Sequence, residues 1–198
     1  MRKINLIIYF LFICLPFKTH ALIEVDITRG NLNPLPIAVS ALYSDKDTTE
    51  ILKKEIKIDE IGSEISVVIE NNLKATGLFN PLEKKAFLQQ PDVAHLKPRF
   101  EDWSLIKAQA LITGKVEYID DKVRVEFRLW DVLAAREMMA LAFTTVPNNW
   151  RRIGHIISDK IYERLTGEKG YFDTRIIYVS EEGPKTKRIK KLAIMDQD

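Results

Sequence analysis

Residues 110–132 read ALITGKVEYIDDKVRVEFRLWDV and decide the fold of this chain. Two arms, 110–119 and 122–132, flank the polar pair Asp120 and Asp121 as the strands of a β-hairpin flank their turn. The second arm alternates apolar with charged side chains, which is the period of a half-buried strand. One face of this strand is therefore expected to lie on a core, and it carries Val123, Val125, Phe127 and Leu129.

Further strands extend the hairpin into a sheet. Residues 137–146 predict a third strand of the same meander, and the apolar run 37–42 predicts an earlier one. The stretch 22–28 alternates apolar and polar side chains and also predicts a strand. The charged stretch 44–57 is interpreted as a loop with a short helical turn.

Two helices are expected between the strands. Asp59 is the expected N-cap of the first helix, Gly77 ends it, and residues 78–81 follow as a turn. The second helix follows Pro147 and stops at Gly167. Apolar residues recur at helical spacing in both: Ile61, Ile65, Val68, Ile69 and Leu73, then Trp150, Ile153, Ile157, Ile161 and Leu165. This order predicts an α+β fold, a two-layer α/β arrangement with two main helices on a mixed sheet.

The pattern changes after Thr174. Residues 175–180 and 189–196 predict two strands, and residues 181–184 predict the turn between them. A two-stranded hairpin is marginally stable alone in water. We therefore expect residues 168–198 to be a linker and the first hairpin of an incomplete second domain.

The first 21 residues have the pattern of a secretory signal peptide. Arg2 and Lys3 give a positive start, residues 6–17 form an apolar run, and Thr19 and Ala21 are small residues at a cleavage site. A run of about a dozen apolar residues is too short to cross about 30 Å of hydrocarbon comfortably. The pattern predicts export with cleavage after Ala21, so that the first folded domain comprises residues 22–167 and no membrane insertion follows cleavage.

Cysteine content and net charge exclude disulfides and cysteinyl metal sites in the exported part and give no support for nucleic acid as a partner. Cys14 is the only cysteine and lies within the leader, so the exported part has neither disulfides nor cysteinyl metal sites. The chain carries 30 Lys and Arg against 28 Asp and Glu, but Arg2, Lys3 and Lys18 belong to the leader. The exported part therefore has a formal charge of −1. This balance gives no support for nucleic acid as a partner.

Few residues suggest catalysis or metal binding. His95 and His155 have no second histidine or carboxylate at a ligand spacing, and the sequence contains no G-x-S-x-G, H-E-x-x-H or glycine-rich phosphate motif. Asp120 and Asp121 are interpreted as turn residues and not as a catalytic carboxylate pair. We expect no enzymatic activity, no metal and no cofactor. A basic cluster is interpreted as a solvated turn and edge strand, and it comprises Lys185, Lys187, Arg188, Lys190 and Lys191.

Trp130 and the segment 22–29 are both expected to pack against another part of the structure or against a partner. Trp130 lies on the strand face opposite Phe127, where we expect a helix or the next domain to cover it. The segment 22–29 has a strand pattern at a new chain end, where chains usually fray. It is either an edge strand of the domain's own sheet or a detachable strand that adds to a partner's sheet, and both hold if it exchanges between states.

Several motifs, in the same order along the chain, are similar to those of the N-terminal domain of the TolB family. The resemblance covers residues 22–198. Its motifs are I-x-V-x-I-T-x-G at 23–30, L-P-I-A-V at 35–39, G-L-F-x-P-L at 77–82, Trp103 followed by A-L-I-x-G-x-V at 110–116, V-x-F-R-L-W-D at 125–131, S-D-K-I-Y-E-R-L-T-G at 158–167 and G-x-F-x-T-R-I-x-Y-V at 170–179.

The resemblance implies a function without catalysis. TolB proteins are soluble periplasmic members of the Tol-Pal system, which maintains outer-membrane integrity and acts in constriction during cell division. The resemblance implies an α/β domain followed by a β-propeller, with TolA bound by the mature N-terminus and the lipoprotein Pal bound by the propeller. On this chain, the implied TolA-binding residues are Leu22, Ile23, Glu24, Val25, Asp26, Ile27, Thr28 and Arg29.

Some features depart from the family pattern. The stretch 45–58 is longer and more charged than expected, and residues 133–135 replace a glycine-bearing turn. The sequence ends at Asp198, within the expected first propeller blade, so we expect the Pal-binding surface to be missing. Two alternatives to the adaptor stay open. One is a truncated or split-gene remnant, and the other is the gating domain of a propeller hydrolase.

Overall fold

The computed structural model describes Ile23 and residues 33–196. The predicted leader 1–21, and all of the predicted strand 22–28 except Ile23, lie outside these residues. The predictions of a signal peptide and of an N-terminal strand therefore stay predictions.

A mixed sheet of six strands forms the centre of the structure. Its strands are β1 (Leu35–Val39), β2 (Tyr43–Ser44), β3 (Phe79–Pro81), β4 (Ala110–Ile119), β5 (Lys122–Asp131) and β6 (Arg136–Thr145). Their order is β3-β1-β4-β5-β6, and β2 pairs with β4 further along that strand than β1 does. Strand β1 is parallel to β3 and β4, whereas β4, β5 and β6 form an antiparallel meander.

The β4–β5 hairpin is present as predicted. Ile119 pairs with Lys122, and the two residues between them have φ angles of 51° at Asp120 and 57° at Asp121. Two left-handed residues in a two-residue turn match the twist of the flanking strands. The four apolar residues predicted to face the core on β5 are fully buried.

Helices cover both faces of the sheet. They are α1 (Lys46–Ile56), α2 (Ile61–Ala75), α3 (Pro91–Ala94), α4 (Phe100–Leu105) and α5 (Trp150–Thr166), with short 3-10 turns at Lys84–Ala86 and Pro147–Asn149. The two predicted main helices, α2 and α5, bury their predicted apolar faces on the same side as Phe127; Trp150 is partly buried. The short α3 and α4 cover part of the opposite face, where Trp103 packs with Leu111 and Val132. This confirms the α+β fold with two main helices on a mixed sheet.

The interpretation of residues 44–57 as a loop with a short helical turn was wrong in extent, because Lys46–Ile56 form a helix of three turns. Asp45 caps it, since its Oδ1 accepts a hydrogen bond of 2.7 Å from the Thr48 amide. Only Thr48 and Leu52 of this helix are buried. The apolar periodicity was therefore too weak to show the helix, and packing against the sheet stabilises it instead.

Asp59 is not the N-cap of the next helix. Helix α2 begins at Ile61 with Glu60 at its N-cap position, and the Glu60 side chain makes no capping hydrogen bond. Asp59 instead pairs with Lys53 of α1 at 2.6 Å. The predicted end of α2 is confirmed, because Gly77 has the positive φ of 71° that a left-handed helix end requires.

Residues 78–81 were also misinterpreted as a turn. Phe79–Pro81 form β3, which pairs in parallel with β1, and Phe79 is buried in the core. A strand of three residues has too short a pattern to be recognised without its partner.

The last elements form a separate two-stranded sheet, β7 (Arg175–Glu182) and β8 (Ile189–Asp196). Both predicted strands are present, and they pair in antiparallel register from Arg175 and Asp196 to Glu182 and Ile189. Most of their apolar side chains are exposed.

Candidate partner-binding site

Ile23 is the only residue of the predicted binding segment within the described part of the chain. It is partly buried and packs against the main core cluster between the sheet and the helices α2 and α5. The other seven residues, Leu22 and Glu24 to Arg29, lie outside the described residues. The structure thus places one apolar side chain of the segment against the domain and does not test the rest.

The chain that follows the segment is anchored in the middle of the sheet. β1 begins at Leu35, whose amide donates to the Leu78 carbonyl at 2.9 Å, and the Pro36 carbonyl accepts from Gln109 at 3.0 Å. Because β1 pairs with β3 on one side and β4 on the other, neither of its edges is open. Of the described strands, β3 and β6 lie at the two edges of the main sheet. β2 also has an unpaired edge, because it pairs only with β4, so an edge position for the N-terminal segment would be beside β2, β3 or β6.

A buried group of polar side chains joins the helices α2 and α5. The Asn72 amide nitrogen donates to His155 Nδ1 at 3.0 Å and to Ser158 Oγ at 2.9 Å. Ser158 Oγ in turn donates to the Gly154 carbonyl at 2.8 Å. Buried polar groups need such partners, so this arrangement explains His155 as part of the helix packing.

The half-buried face of the β4–β5 hairpin opposite Phe127 carries alternating charges. Lys115 contacts Glu117 at 2.8 Å, and Arg124 contacts Glu117 at 2.9 Å and also pairs with Glu126. The hydrogen bond from Lys115, and then that from Arg124, lower the pKa of Glu117, while Glu126 and Glu117 raise the pKa of Arg124. Each charge thus has an opposite neighbour. Lys115, Glu117, Arg124 and Glu126 form a half-buried network in which two positive and two negative charges balance.

Two shallow cavities border these elements. One of about 170 Å³ lies on the charged face beside His95, Gly114 and Arg128. The other, of about 450 Å³, opens at the carboxyl end of β1 between the first turns of α2 and α3. Its acidic residues, Glu60 and Asp92, lie at helix starts, where the helix dipole stabilises negative charge.

Trp130, His95 and the basic cluster each contact neighbouring side chains of the fold. Trp130 is covered as predicted, because Phe100 of α4 packs edge-on against it at 5.8 Å and its Nε1 donates to Thr113. His95 stacks on Tyr43 with ring centroids 4.5 Å apart. In the basic cluster, three side chains pair with acids of β7: Arg188 and Lys190 with Glu181, and Lys191 with Glu182.

Among Ile23 and residues 33–196, no three His, Cys, Asp or Glu side chains come together as a metal site requires. In that same part of the chain, every helix is too short or too polar to cross a membrane.

One cluster, around Asp159, was not predicted from the sequence. Asp159 of α5 accepts hydrogen bonds from the backbone after the helix, and Arg152 pairs with Asp173. Its only signal in the sequence is the pair of motifs at 158–167 and 170–179, whose residues contact one another in the fold.

The family described as TolB amino-terminal domain matches residues 23–138, more than half of the chain. The chain belongs to the TolB family. It is 76% identical over 191 residues to the Tol-Pal system protein TolB of Pelagibacter ubique (strain HTCC1062), an alignment that covers 96% of this chain and 43% of that relative.

A solved structure supports the fold. The crystal structure of TolB from Acinetobacter baumannii superposes with a TM-score of 0.63 and 22% sequence identity, over 83% of this chain and 37% of that one. At this identity the similarity concerns the fold. The chain thus spans less than half the length of both TolB proteins, and the matched family domain begins at Ile23, inside the predicted binding segment.

Proposed function

We propose that the chain is a non-catalytic, periplasmic adaptor of the Tol-Pal envelope system, in which residues 22–29 bind TolA. The observation that carries this proposal is the 76% identity to a Tol-Pal system protein TolB across nearly the whole chain. On this proposal the protein contributes to outer-membrane integrity and to constriction during cell division.

The proposed binding mode depends on main-chain hydrogen bonds. The alternation of Ile23, Val25 and Ile27 with Glu24, Asp26 and Thr28 suits a strand that adds to the edge of a partner's sheet. Main-chain bonds along the strand supply affinity, and the alternate side chains supply specificity.

Release of Ile23, the one described residue of the segment, would cost the domain little. Ile23 is only partly buried, and full burial of an isoleucine side chain stabilises a protein by about 1.5–3 kcal/mol. The β1 strand that follows keeps both of its neighbours when the segment leaves. The domain can therefore stay folded while the segment binds elsewhere.

The same proposal assigns the C-terminal residues to a second domain. Residues 168–198 would be the linker and first hairpin of a β-propeller, and Pal would bind that propeller and not the α/β domain. The exposed apolar residues of β7 and β8 support this assignment, since such a surface is usually covered by further structure.

Deletion of residues 22–29 tests TolA binding. We expect the deletion to abolish capture of the periplasmic part of TolA in a pull-down, while the far-UV circular dichroism spectrum and the unfolding midpoint change little. A finer variant is Ile27→Pro, which removes one backbone donor from the segment and should weaken capture. The control variant is Leu133→Ser, at an exposed position of the turn between β5 and β6. Proline is avoided at this position because it would alter the turn.

Unchanged capture by the deletion variant would refute the TolA assignment. A remnant without function would instead be missing from periplasmic extracts probed with an antibody to the α/β domain. A gating role in a hydrolase predicts a G-x-S-x-G motif in coding sequence continuous with residue 198.

A further inference from the structure

The linker between α5 and β7 folds back onto α5. The helix ends at Gly167, which has a positive φ of 77° and donates to the Glu163 carbonyl at 2.9 Å. A few residues later the Asp159 carboxylate accepts two backbone hydrogen bonds, from Phe172 at 2.6 Å and from Asp173 at 3.1 Å. Hydrogen bonds to an ionised carboxylate are among the stronger ones in proteins.

Gly170 allows this close approach. A Cβ at position 170 would lie 2.4 Å from both Cα and Oδ1 of Asp159, distances that no side chain tolerates. The requirement is one of space, because the linker backbone runs directly against the helix. Any larger residue here would push the linker away from α5.

A second contact holds the linker to α5 through the side chain of Asp173. Arg152 binds Asp173 with both arms of its guanidinium, Nε to Oδ1 at 2.9 Å and Nη2 to Oδ2 at 3.1 Å. This fork fixes orientation as well as distance. Asp173 therefore has its amide held by Asp159 and its side chain held by Arg152, two turns away on the same helix.

Aromatic packing completes the attachment. Phe172 is 2% exposed and packs edge-on against Tyr162 of α5 at 5.9 Å and beside Tyr171 at 4.8 Å. Tyr162 also contacts Phe79 of β3, so the linker is joined to the core of the α/β domain. Strand β7 begins only two residues after Asp173.

We infer that residues 170–173 form a rigid joint that fixes the direction in which β7 leaves the α/β domain. Asp159 and Arg152 are its positioning residues, and Gly170 provides the space for it. The joint determines the angle at which any structure built on β7 and β8 is presented. It goes beyond the proposed function, since it requires neither TolA nor Pal.

Amide hydrogen exchange tests the joint in the unaltered chain. We expect the amides of Phe172 and Asp173 to exchange on the order of 100-fold more slowly than in an unstructured peptide. Exchange of both amides at the unstructured rate would overturn the inference, and this measurement does not depend on any variant folding correctly.

A distance measurement tests the rigidity itself. Spin labels at Glu64→Cys on α2 and Val179→Cys on β7, in a Cys14→Ser background, report the distribution of distances between the two units by pulsed electron resonance. Both label sites are exposed. A single narrow distribution is expected, whereas a broad one in the otherwise unaltered chain would show a flexible tether.

The variant series then assigns the cause. Asp159→Asn keeps the side-chain shape but leaves a single acceptor oxygen, so one of the two hydrogen bonds is lost and the other loses its charge. Protection of the Phe172 and Asp173 amides should fall roughly tenfold and the distance distribution should broaden. Gly170→Ala should have the same effect, and Lys169→Ala, at an exposed linker position, should have none. A narrow distribution that is unchanged in Asp159→Asn would refute the positioning role.

Discussion

A single glycine sets the distance between the two main helices. An added Cβ at Gly154 of α5 would lie 2.8 Å from Cγ1 and 3.0 Å from Cβ of Val68 on α2. Valine has few alternative rotamers in a helix, so Val68 cannot turn aside. The helix faces meet at this point, next to the buried group formed by Asn72, His155 and Ser158.

Gly154→Ala is therefore expected to lower the free energy of unfolding by about 1–2 kcal/mol, because overpacking outweighs the better helix propensity of alanine. A Val68→Ala background removes the 2.8 Å contact with Cγ1 and leaves the 3.0 Å contact with Cβ, so the same substitution should cost clearly less there. Urea unfolding of the four proteins measures this coupling. Equal losses in both backgrounds would show that Val68 is not the cause.

Glu70 of α2 is a carboxylate held in a partly buried position. Burial raises its pKa above the ordinary value, and Lys84, 3.1 Å away, offsets this only in part. A carboxyl with a raised folded-state pKa binds protons more readily in the folded than in the unfolded chain. Its ionisation therefore costs stability above the ordinary pKa of glutamate, and this cost disappears as the pH falls below it.

We expect Glu70→Gln to raise the free energy of unfolding at pH 7 by up to about 1 kcal/mol and to give no gain near pH 3. Chemical denaturation at the two pH values measures the difference. Glu50→Gln, at an exposed position of α1, is the matched control. A gain for Glu70→Gln that is the same at both pH values would contradict the assignment to ionisation.

At the scale of single elements, the β4–β5 turn is built from residues that tolerate its geometry without favouring it. Asp120 and Asp121 both have positive φ, a conformation that costs an L-residue about 1 kcal/mol and glycine almost nothing. Asp121 also accepts a hydrogen bond from the Tyr118 hydroxyl at 3.2 Å, but this contact is exposed and contributes little.

Asp121→Gly should therefore raise the free energy of unfolding by about 0.5–1 kcal/mol, since asparagine or aspartate followed by glycine is the favoured pair in this turn. Asp121→Ala loses the same hydrogen bond but keeps a Cβ, so it should lower stability. Thermal unfolding separates the two variants. If both variants lose stability equally, the lost hydrogen bond with Tyr118 outweighs the relief of backbone strain that glycine provides.

The long strands and helices could be predicted from the sequence, whereas the short strand β3 and the mostly exposed helix α1 could not. Strands β4 and β5 and helices α2 and α5 are long, and their apolar residues recur at one period over ten or more positions. Helix α1 buries only Thr48 and Leu52, and β3 has three residues, so neither has a periodic pattern of its own. The cap formed by Asp45 and Thr48 was the one local signal for α1 that could have been used.

At the scale of the whole molecule, stability is distributed unevenly. The main sheet is covered by helices on one face and partly on the other, whereas eight large apolar side chains of β7 and β8 are exposed: Ile176, Ile177, Tyr178, Val179, Ile189, Leu192, Ile194 and Met195. A hairpin without a covered face opens at low free-energy cost.

We expect amides at the centre of β4 and β5 to exchange only through global unfolding, and amides of β7 and β8 away from the joint at 170–173 to exchange through local opening. Hydrogen exchange followed by mass spectrometry or NMR measures both sets. Equal protection of the two sheets would show that the hairpin is covered by a contact outside the described residues.

The sequence by itself determined the hairpin at 110–132, the two main helices, the separate hairpin after residue 174 and the family, because each depends on local periodicity, turn residues or ordered motifs. The tertiary structure alone decided the strand β3, the helix α1, the true start of α2 and the attachment of residues 170–173 to Asp159. These features depend on contacts between residues distant in the chain, or on the space left by a neighbouring element, and one-dimensional patterns do not report such contacts. The proposed TolA segment is a case in between, since its pattern is local and its partner is another molecule.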